Sequence, residues 1–217
     1  MPTRGCAFLT LHCHPATPCA VVHSLQVSVE YTADGSLHLQ YTLQGELAKI
    51  RIPEPQAPLA TDGLWEHTCF EAFIAVQGES GYHEFNFSPS RQWAAYAFSG
   101  YRERVEWRVG CALVVRRKSP SIPLLQRGRL DGASQQLTES LSGSPPLQKE
   151  GLGEDFLLEV SLTATNLPPN PERKPLQLGL TAVIETITGE KSYWALKHSA
   201  EHPDFHHRNG FTHEIWP

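Results

Sequence analysis

The stretch YHEFNFSPSRQWAAYAF occupies residues 82 to 98, and WEHTCFEAF precedes it at residues 65 to 73. Because successive side chains of a β-strand point to opposite faces, Glu84 and Asn86 would share one face of the later segment while its phenylalanines occupy the other. The same alternation sets Glu71 apart from an apolar row in the earlier segment. Both segments are therefore predicted to be amphipathic β-strands.

A short polar loop, QGESG at residues 77 to 81, separates the two strands and would let them pair as neighbours. Pairing would bring Glu71, Glu84 and Asn86 to one side of a sheet, which is the candidate site. Alternation alone also predicts a plainer alternative, in which the polar row forms the solvated outer face of an antiparallel sheet.

About ten short segments of this kind follow one another along the chain, a spacing typical of a β-sandwich or barrel. Helical periodicity is nearly absent. We predict an all-β fold, a two-sheet antiparallel β-sandwich. Besides the two segments quoted, the predicted strands cover residues 21–31, 37–43, 47–52, 93–98, 105–115, 156–162, 176–187 and 192–196.

Residues 118–154 have a different composition, rich in Ser, Gly, Pro, Gln and Leu without a sustained period. A loop of this length is unusual inside a compact domain, so it is interpreted as a long irregular insertion between two strands. Each doubling of loop length costs only about 0.6 kcal/mol, which makes such an insertion tolerable. We expect a single domain over residues 1–217 with a disordered insertion, and a functional lid is the alternative.

The charge of the chain limits its partners. Its 217 residues carry a formal net charge of −5, and the isoelectric point is about 6.1. Nucleic-acid binding requires a concentrated basic surface, so no nucleic-acid partner is expected. No apolar run approaches the roughly 20 residues that span a bilayer, and the first residues make a poor secretory signal. We therefore expect no membrane association and a cytoplasmic location.

Cysteine and histidine positions raise the question of a metal site. The five cysteines lack CxxC spacing, so reduced thiols are expected. HCHPATPC at residues 12–19 resembles a metal site at first sight, but strand alternation would place its two histidines opposite Cys13. Five histidines fall in the last 20 residues, which raises metal or haem ligation, yet the segment reads as a loop without ligand spacing.

The aromatic residues favour a small-molecule pocket, because rings beside a few convergent polar groups are typical of such sites. Each tryptophan taken singly is nevertheless more often part of a core than a platform for a ligand. In SYWALKH at residues 192–198, alternation places Tyr193 and Trp194 on opposite faces. Only one of these two can therefore join the apolar row of its strand, and the other must face a pocket, a partner or water.

Paired glutamates also raise glycoside hydrolysis, in which two carboxyl groups flank the scissile bond. Glu71 and Glu84 could instead exchange hydrogen bonds with sugar hydroxyls without reaction, which is the less demanding interpretation. The sequence contains no P-loop, no GxGxxG after a strand, no GxSxG and no HExxH. No complete catalytic constellation is visible, so a non-catalytic role is favoured.

Several of these motifs together resemble the bacterial DOMON-like domain proteins, a family akin to the family 9 carbohydrate-binding modules. The motifs are LWEHTCFEAF at 64–73, YHEFNFSPSRQWAAYAF at 82–98, YR at 101–102 and SYWALKH...PDFHH at 192–207. The resemblance implies a β-sandwich with a ligand site on a concave face or an edge, and sugar or haem as the ligand. The resemblance also implies that Trp65 and Trp93 stack against the ligand. Its motifs contain Arg102 and His198, which are further candidates for the site.

The prediction is thus a β-sandwich that binds a small ligand without catalysis, and a carbohydrate is the favoured ligand. A haem or metal protein using the C-terminal histidines is the second hypothesis and a glycoside hydrolase the third. Met1 is the only methionine, so the haem hypothesis rests on histidine alone. No cofactor or metal is required for the first hypothesis. The expected ligand-binding residues are Trp65, Glu71, Glu84, Asn86, Trp93, Arg102, Tyr193, Trp194 and His198.

Overall fold

The computed structural model describes residues 6–110, 112–118 and 154–217. These residues form two antiparallel β-sheets and a few short 3-10 turns, which confirms the predicted all-β sandwich. The strands are β1 (Ala7–Thr10), β2 (His12–Cys13), β3 (Val22–Tyr31), β4 (Leu37–Gly45), β5 (Cys69–Val76), β6 (Tyr82–Phe87), β7 (Trp93–Gly100), β8 (Glu103–Val105), β9 (Val114–Lys118), β10 (Glu154–Leu162), β11 (Leu176–Glu185), β12 (Lys191–Ala195) and β13 (His213–Ile215).

The two sheets differ in size. The small sheet has the strand order β1-β3-β4-β10-β9. The large sheet has the order β2-β12-β11-β5-β6-β7-β8, and β13 also pairs with β11. The quoted segments form the central hairpin β5-β6, in which Glu71 lies directly opposite Asn86.

Alternating apolar side chains from both sheets form one shared core. Leu25 and Leu43 contribute from the small sheet, and Phe70, Phe85 and Leu178 contribute from the large sheet. All five are fully buried. Removing such a side chain from water contributes about 1.5–3 kcal/mol, so this shared core is the main reason the sheets stack.

The large sheet is also covered on its outer face. Every residue of β5 and β6 is buried, which a sheet with one solvated face would not show. A second apolar cluster lies on this outer face and includes Phe73, Tyr82 and Phe211. Phe211 fits there because Gly179 has no side chain; a Cβ on Gly179 would lie 2.7 Å from the Phe211 ring. The solvated-face alternative is therefore wrong for the middle of this sheet.

Two predicted strands differ from the structure. Residues 47–52 contain a 3-10 helix, Leu47–Lys49, and only Ile50 makes an isolated bridge to Thr186. Leucine, alanine and lysine favour helical turns over strands, which explains this difference. Residues 105–115 divide into the end of β8 and the start of β9. Between them Trp107 packs against the core and Gly110 donates its N–H to the Asn166 side chain, so their backbone leaves the ladder.

Most of the predicted insertion lies outside the described residues. The strands that flank it, β9 and β10, are antiparallel neighbours, with Leu158 opposite Arg117. The predicted insertion therefore runs between two adjacent strands, and its predicted disorder falls on residues outside the described ones. Within the described part of the chain, no helix has the length and hydrophobicity that a bilayer span requires.

A buried hydrogen bond between the sheets yields a first prediction. The Tyr41 hydroxyl on β4 donates to the backbone carbonyl of Glu71 on β5 over 2.8 Å, and Tyr41 is fully buried. Tyr41→Phe removes this bond and should lower the free energy of unfolding by about 1 kcal/mol. Urea denaturation measures the loss, with Tyr31→Phe as the partly exposed control. Equal stability of Tyr41→Phe and wild type would contradict a stabilising role for this bond.

Candidate ligand-binding cleft

A cleft of about 500 Å³ opens on the outer face of the large sheet. Its floor is formed by side chains of the central strands, and its walls come from the chain around residues 63–66, the turn after β7 and the segment 203–206. The lining residues are Trp65, Glu66, Glu71, Phe73, Glu84, Tyr96, Phe98, Arg102, Arg104, Val183, Lys191, Tyr193, Pro203, Phe205 and His206.

Glu71 and Glu84 lie side by side on the floor. Glu71 pairs across the hairpin with Asn86, so Glu84 is its diagonal neighbour on the same face. Diagonal neighbours in an antiparallel pair are about 7–8 Å apart at the backbone, with the Cβ atoms somewhat closer. Both side chains are deeply buried, at 3% and 6% relative exposure for Glu71 and Glu84 respectively.

Burial controls the protonation of Glu71. The Thr181 hydroxyl donates to Oε2 of Glu71 over 3.2 Å. Burial, and after it the negative charge of Glu84, raises the pKa of Glu71 well above its usual range, and the Thr181 bond only partly opposes this rise. Glu71 therefore favours the neutral acid, which can both donate and accept a hydrogen bond.

Glu84 is held by its neighbour two residues along the strand. The Asn86 amide donates to Oε1 of Glu84 over 2.7 Å. Burial raises the pKa of Glu84, while the Asn86 bond and the charges of Arg102 and Arg104 act in the opposite direction. Asn86 itself is fully buried, so it fixes the orientation of this carboxyl.

A hydrogen-bonded chain orients His206 toward Glu84. The Arg102 backbone N–H donates to the Tyr82 hydroxyl over 3.2 Å, and this hydroxyl lies 2.8 Å from Nδ1 of His206. With Tyr82 donating to Nδ1, the ring proton lies on Nε2, which is 3.7 Å from Oε2 of Glu84.

The contact between His206 and Glu84 is best described as a neutral one. Burial, with a further contribution from the charge of Arg102, lowers the pKa of His206 to about 4. Burial also raises the pKa of Glu84. The two shifts both oppose ionisation, and 3.7 Å is too long for a hydrogen bond. The pair is therefore a contact between neutral groups and not a salt bridge.

Aromatic rings form the wall beside the floor. The Trp65 side chain is 40% exposed and meets the ring of Tyr96 edge to face, with the centroids 5.9 Å apart. Tyr96 is fixed in turn, because its hydroxyl donates to Asp62 and the Arg104 guanidinium lies 4.0 Å from its ring centroid. Trp65 thus presents the exposed part of its indole at the cleft.

Asp204 clasps the opposite wall to the sheet. It accepts from Nη2 of Arg102 over 3.0 Å, from the Tyr101 hydroxyl over 2.5 Å and from the His206 backbone N–H over 3.1 Å. Arg102 adopts a left-handed backbone conformation with φ of 57°, which is uncommon for a residue with a side chain. The clasp connects the turn after β7 to the segment that carries His206.

The structure brings most of the predicted site residues together. Trp65, Glu71, Glu84, Arg102 and Tyr193 all line the cleft. Asn86 lies directly beneath it as the partner of Glu84. Their role in ligand binding stays a prediction.

Three of the predicted residues lie elsewhere. Trp93 and Trp194 are 8% and 6% exposed and belong to the core between the sheets, so neither can stack against a ligand in the cleft. Their strand positions explain this, since Trp93 lies opposite Phe87 and shares its inward face. His198 follows β12, where its Nε2–H donates to the His12 carbonyl over 2.8 Å and its ring meets His14 edge to face.

Several lining residues were not predicted. Tyr96 lies directly opposite Glu84 on β7, so strand alternation could have identified it. Lys191 shares a face with Tyr193 on β12 and could have been found in the same way. Phe205 and His206 lie in an irregular segment, where no periodicity exists to show which side chains turn toward the sheet.

The histidine of the cleft and the first proline-flanked histidine of the chain both contact protein groups through their ring nitrogens. Both ring nitrogens of His206 face protein groups, Tyr82 and Glu84, leaving neither directed at a vacant ligand position. In the HCHPATPC segment, Nδ1 of His14 accepts from the Ala16 N–H and its Nε2–H donates to the Ala200 carbonyl. Across residues 6–110, 112–118 and 154–217, no group of three His, Cys, Asp or Glu side chains is arranged to hold a metal ion.

Comparison with known proteins identifies a shared fold. No family model matches the sequence, and no curated protein matches it either. One solved structure is similar: a protein from Bacteroides uniformis ATCC 8492, described as a "putative carbohydrate-binding protein". The likeness has a TM-score of 0.61 at 16% sequence identity, and it covers 96% of this chain and 85% of that one. At this identity the match shows a common fold.

The buried acid on the floor predicts an unusual pH response. In the unfolded chain Glu71 ionises near its ordinary pKa of about 4.3, whereas the folded protein retains its proton to higher pH. The folded state therefore binds more protons above pH ~4.3, and this group makes the free energy of unfolding fall as pH rises toward its folded pKa. Glu71→Gln removes the effect, so the variant should be more stable than wild type at pH 7.

The stability difference between Glu71→Gln and wild type should shrink as the pH approaches 4, where the carboxyl is protonated in both states. Urea denaturation at several pH values measures the free energy of unfolding of both proteins. His206 is present in both, so its contribution largely cancels when one value is subtracted from the other. The exposed Glu30 supplies the control, since Glu30→Gln should change stability little at any pH. The opposite result would be a Glu71→Gln variant that is less stable than wild type at pH 7, with the deficit shrinking toward pH 4. That result would show that Glu71 is ionised and stabilising.

Proposed function

We propose that this protein binds a carbohydrate in the cleft and leaves it chemically unchanged. One observation carries the proposal: the cleft combines an open indole on its wall with buried, hydrogen-bonding carboxyl groups on its floor. A sugar has an apolar ring face, which can pack against the indole, and hydroxyl groups, which can form hydrogen bonds with the carboxyl groups.

The floor suits hydroxyl groups because its polar atoms can both donate and accept hydrogen bonds. Glu71 in its neutral form donates through one oxygen and accepts through the other. Glu84 already accepts from Asn86, and its second oxygen faces His206. Each hydrogen bond to a ligand contributes about 0.5–1.5 kcal/mol net, so modest affinity is expected from the few that the floor can make.

The wall supplies apolar contact for a sugar ring. Trp65 is held by its edge against Tyr96, which leaves much of the indole accessible. Tyr193 lines the cleft beside Phe205, with ring centroids 5.9 Å apart. Rings held in this way lose little freedom when a ligand stacks against them, which favours binding.

The comparisons support the same proposal. The structurally similar protein from Bacteroides uniformis is described as a "putative carbohydrate-binding protein". The sequence motifs separately resemble the DOMON-like family. Membership of that family stays a prediction, since no family model matches.

Calorimetric titration against a panel of mono- and oligosaccharides tests the proposal. We expect at least one saccharide to bind, and Trp65→Ala to weaken it about three- to tenfold through lost stacking. Trp216→Ala is the matched control, because Trp216 is 62% exposed and lines a different depression. Silence across the panel, or equal binding by both tryptophan variants, would contradict the assignment. Turnover of chromogenic glycosides that Glu71→Gln abolishes would show catalysis instead.

A further inference from the structure

The two floor carboxyls have no cationic partner. Among the residues the structure describes, no lysine or arginine lies within ion-pairing distance of Glu71 or Glu84. The hydrogen bonds to their carboxylate oxygens come from neutral groups, Thr181 and Asn86. Buried carboxyls elsewhere in proteins are normally paired with a cation or kept neutral at a cost in stability.

One oxygen of Glu71 is available to a ligand. The Thr181 hydroxyl donates a hydrogen bond to Oε2. Glu71 lines the cleft, and its relative exposure is 3%. Unlike a set of acids on a solvated surface, this carboxyl is almost entirely covered by protein and lines the cleft. A cation placed there would interact strongly, because the surroundings have a low dielectric constant.

Aromatic rings surround the same space. Phe73, Tyr96, Phe98, Tyr193 and Phe205 all line the cleft. The faces of such rings attract ammonium groups, most strongly where water is excluded. Rings and unpaired carboxyls therefore favour the same kind of ligand group.

The basic residues at the rim form no ion pair with the floor carboxyls, although the charges of Arg102 and Arg104 act to lower the pKa of Glu84. Arg102 is engaged by Asp204, and its side chain is 54% exposed. Arg104 is exposed and lies over the ring of Tyr96. Lys191 lies at the far wall on β12. Water screens the charges of these rim residues. They therefore weaken the electrostatic attraction between the floor carboxyls and a cation without cancelling it.

We propose that the cleft prefers a saccharide carrying a protonated amino group, with the ammonium lying on the floor between Glu71 and Glu84. This inference rests on the proposed carbohydrate binding and specifies the chemistry of the ligand. The sugar ring would contact Trp65 while the amine enters the aromatic, carboxyl-lined end of the cleft.

Binding of an ammonium group should also release a proton. Glu71 favours its neutral form in the free protein, and a neighbouring cation favours ionisation. A neutral sugar gives no such change. The ionisable groups that act on the two carboxyls, besides the pair itself, are Tyr41, Asp62, Cys69, Tyr82, Tyr96, Arg102, Arg104 and His206.

The test is calorimetric titration of the full chain with glucosamine, glucose and N-acetylglucosamine at a pH where the free amine is protonated. These probes share one ring and differ at a single position. We expect glucosamine to bind about tenfold more tightly than the other two, as a charge-assisted contact predicts. Repeating the titration in buffers of different ionisation enthalpy should detect proton release for glucosamine alone.

Glu71→Gln and Glu84→Gln should each reduce the glucosamine preference to within about threefold. The remaining preference would come from cation–π attraction to the rings. The control Glu30→Gln should preserve the full preference. Urea denaturation confirms that each variant is folded. Equal or tighter binding of the neutral sugars would overturn this inference and leave the proposed function in place. A preference that survives in both glutamine variants would also overturn it, because the amine would then lie elsewhere. Failure of all three sugars, together with silence across the wider panel, would overturn both proposals.

Discussion

The strict alternation of side chains along the hairpin β5-β6 is the constraint on which the rest of the molecule depends. One row of this hairpin meets the small sheet and forms the core. The other row must carry whatever the outer face requires, and here it carries Glu71, Glu84 and Asn86 among aromatic rings. Because a shift of one residue would exchange the two rows, register and site are determined together.

Burial on both faces removes an ordinary polar row from water. The segment that ends at Phe211 covers the outer face, aided by the missing side chain of Gly179, and the Asp204 clasp holds it to the turn after β7. Under this cover the carboxyls lose water without gaining a cation. Natural proteins retain such costly groups mainly where a ligand uses them, which is why the floor is the natural place to look for function.

The sequence predicted those features that depend on local periodicity. It gave the two-sheet sandwich, the central hairpin and the shared face of the three polar residues, since each follows from a period of two. It also showed that only one of Tyr193 and Trp194 could be buried in the core, and the structure buries Trp194. Trp93 was a stacking candidate because of the family resemblance, whereas its place opposite Phe87 turns it toward the core. His206 and Phe205 could not be predicted, because an irregular segment has no repeat that relates sequence to direction.

The central claim is that Glu71 is a neutral, ligand-accessible acid on the floor of a saccharide site. Carbon-13 NMR of the glutamate carboxyls, assigned with Glu71→Gln and Glu84→Gln, tests it most directly. The account predicts that the Glu71 signal titrates well above the ordinary glutamate range in the free protein and moves when a saccharide is added. A Glu71 signal that titrates at the ordinary value and stays fixed in the presence of every saccharide would contradict it.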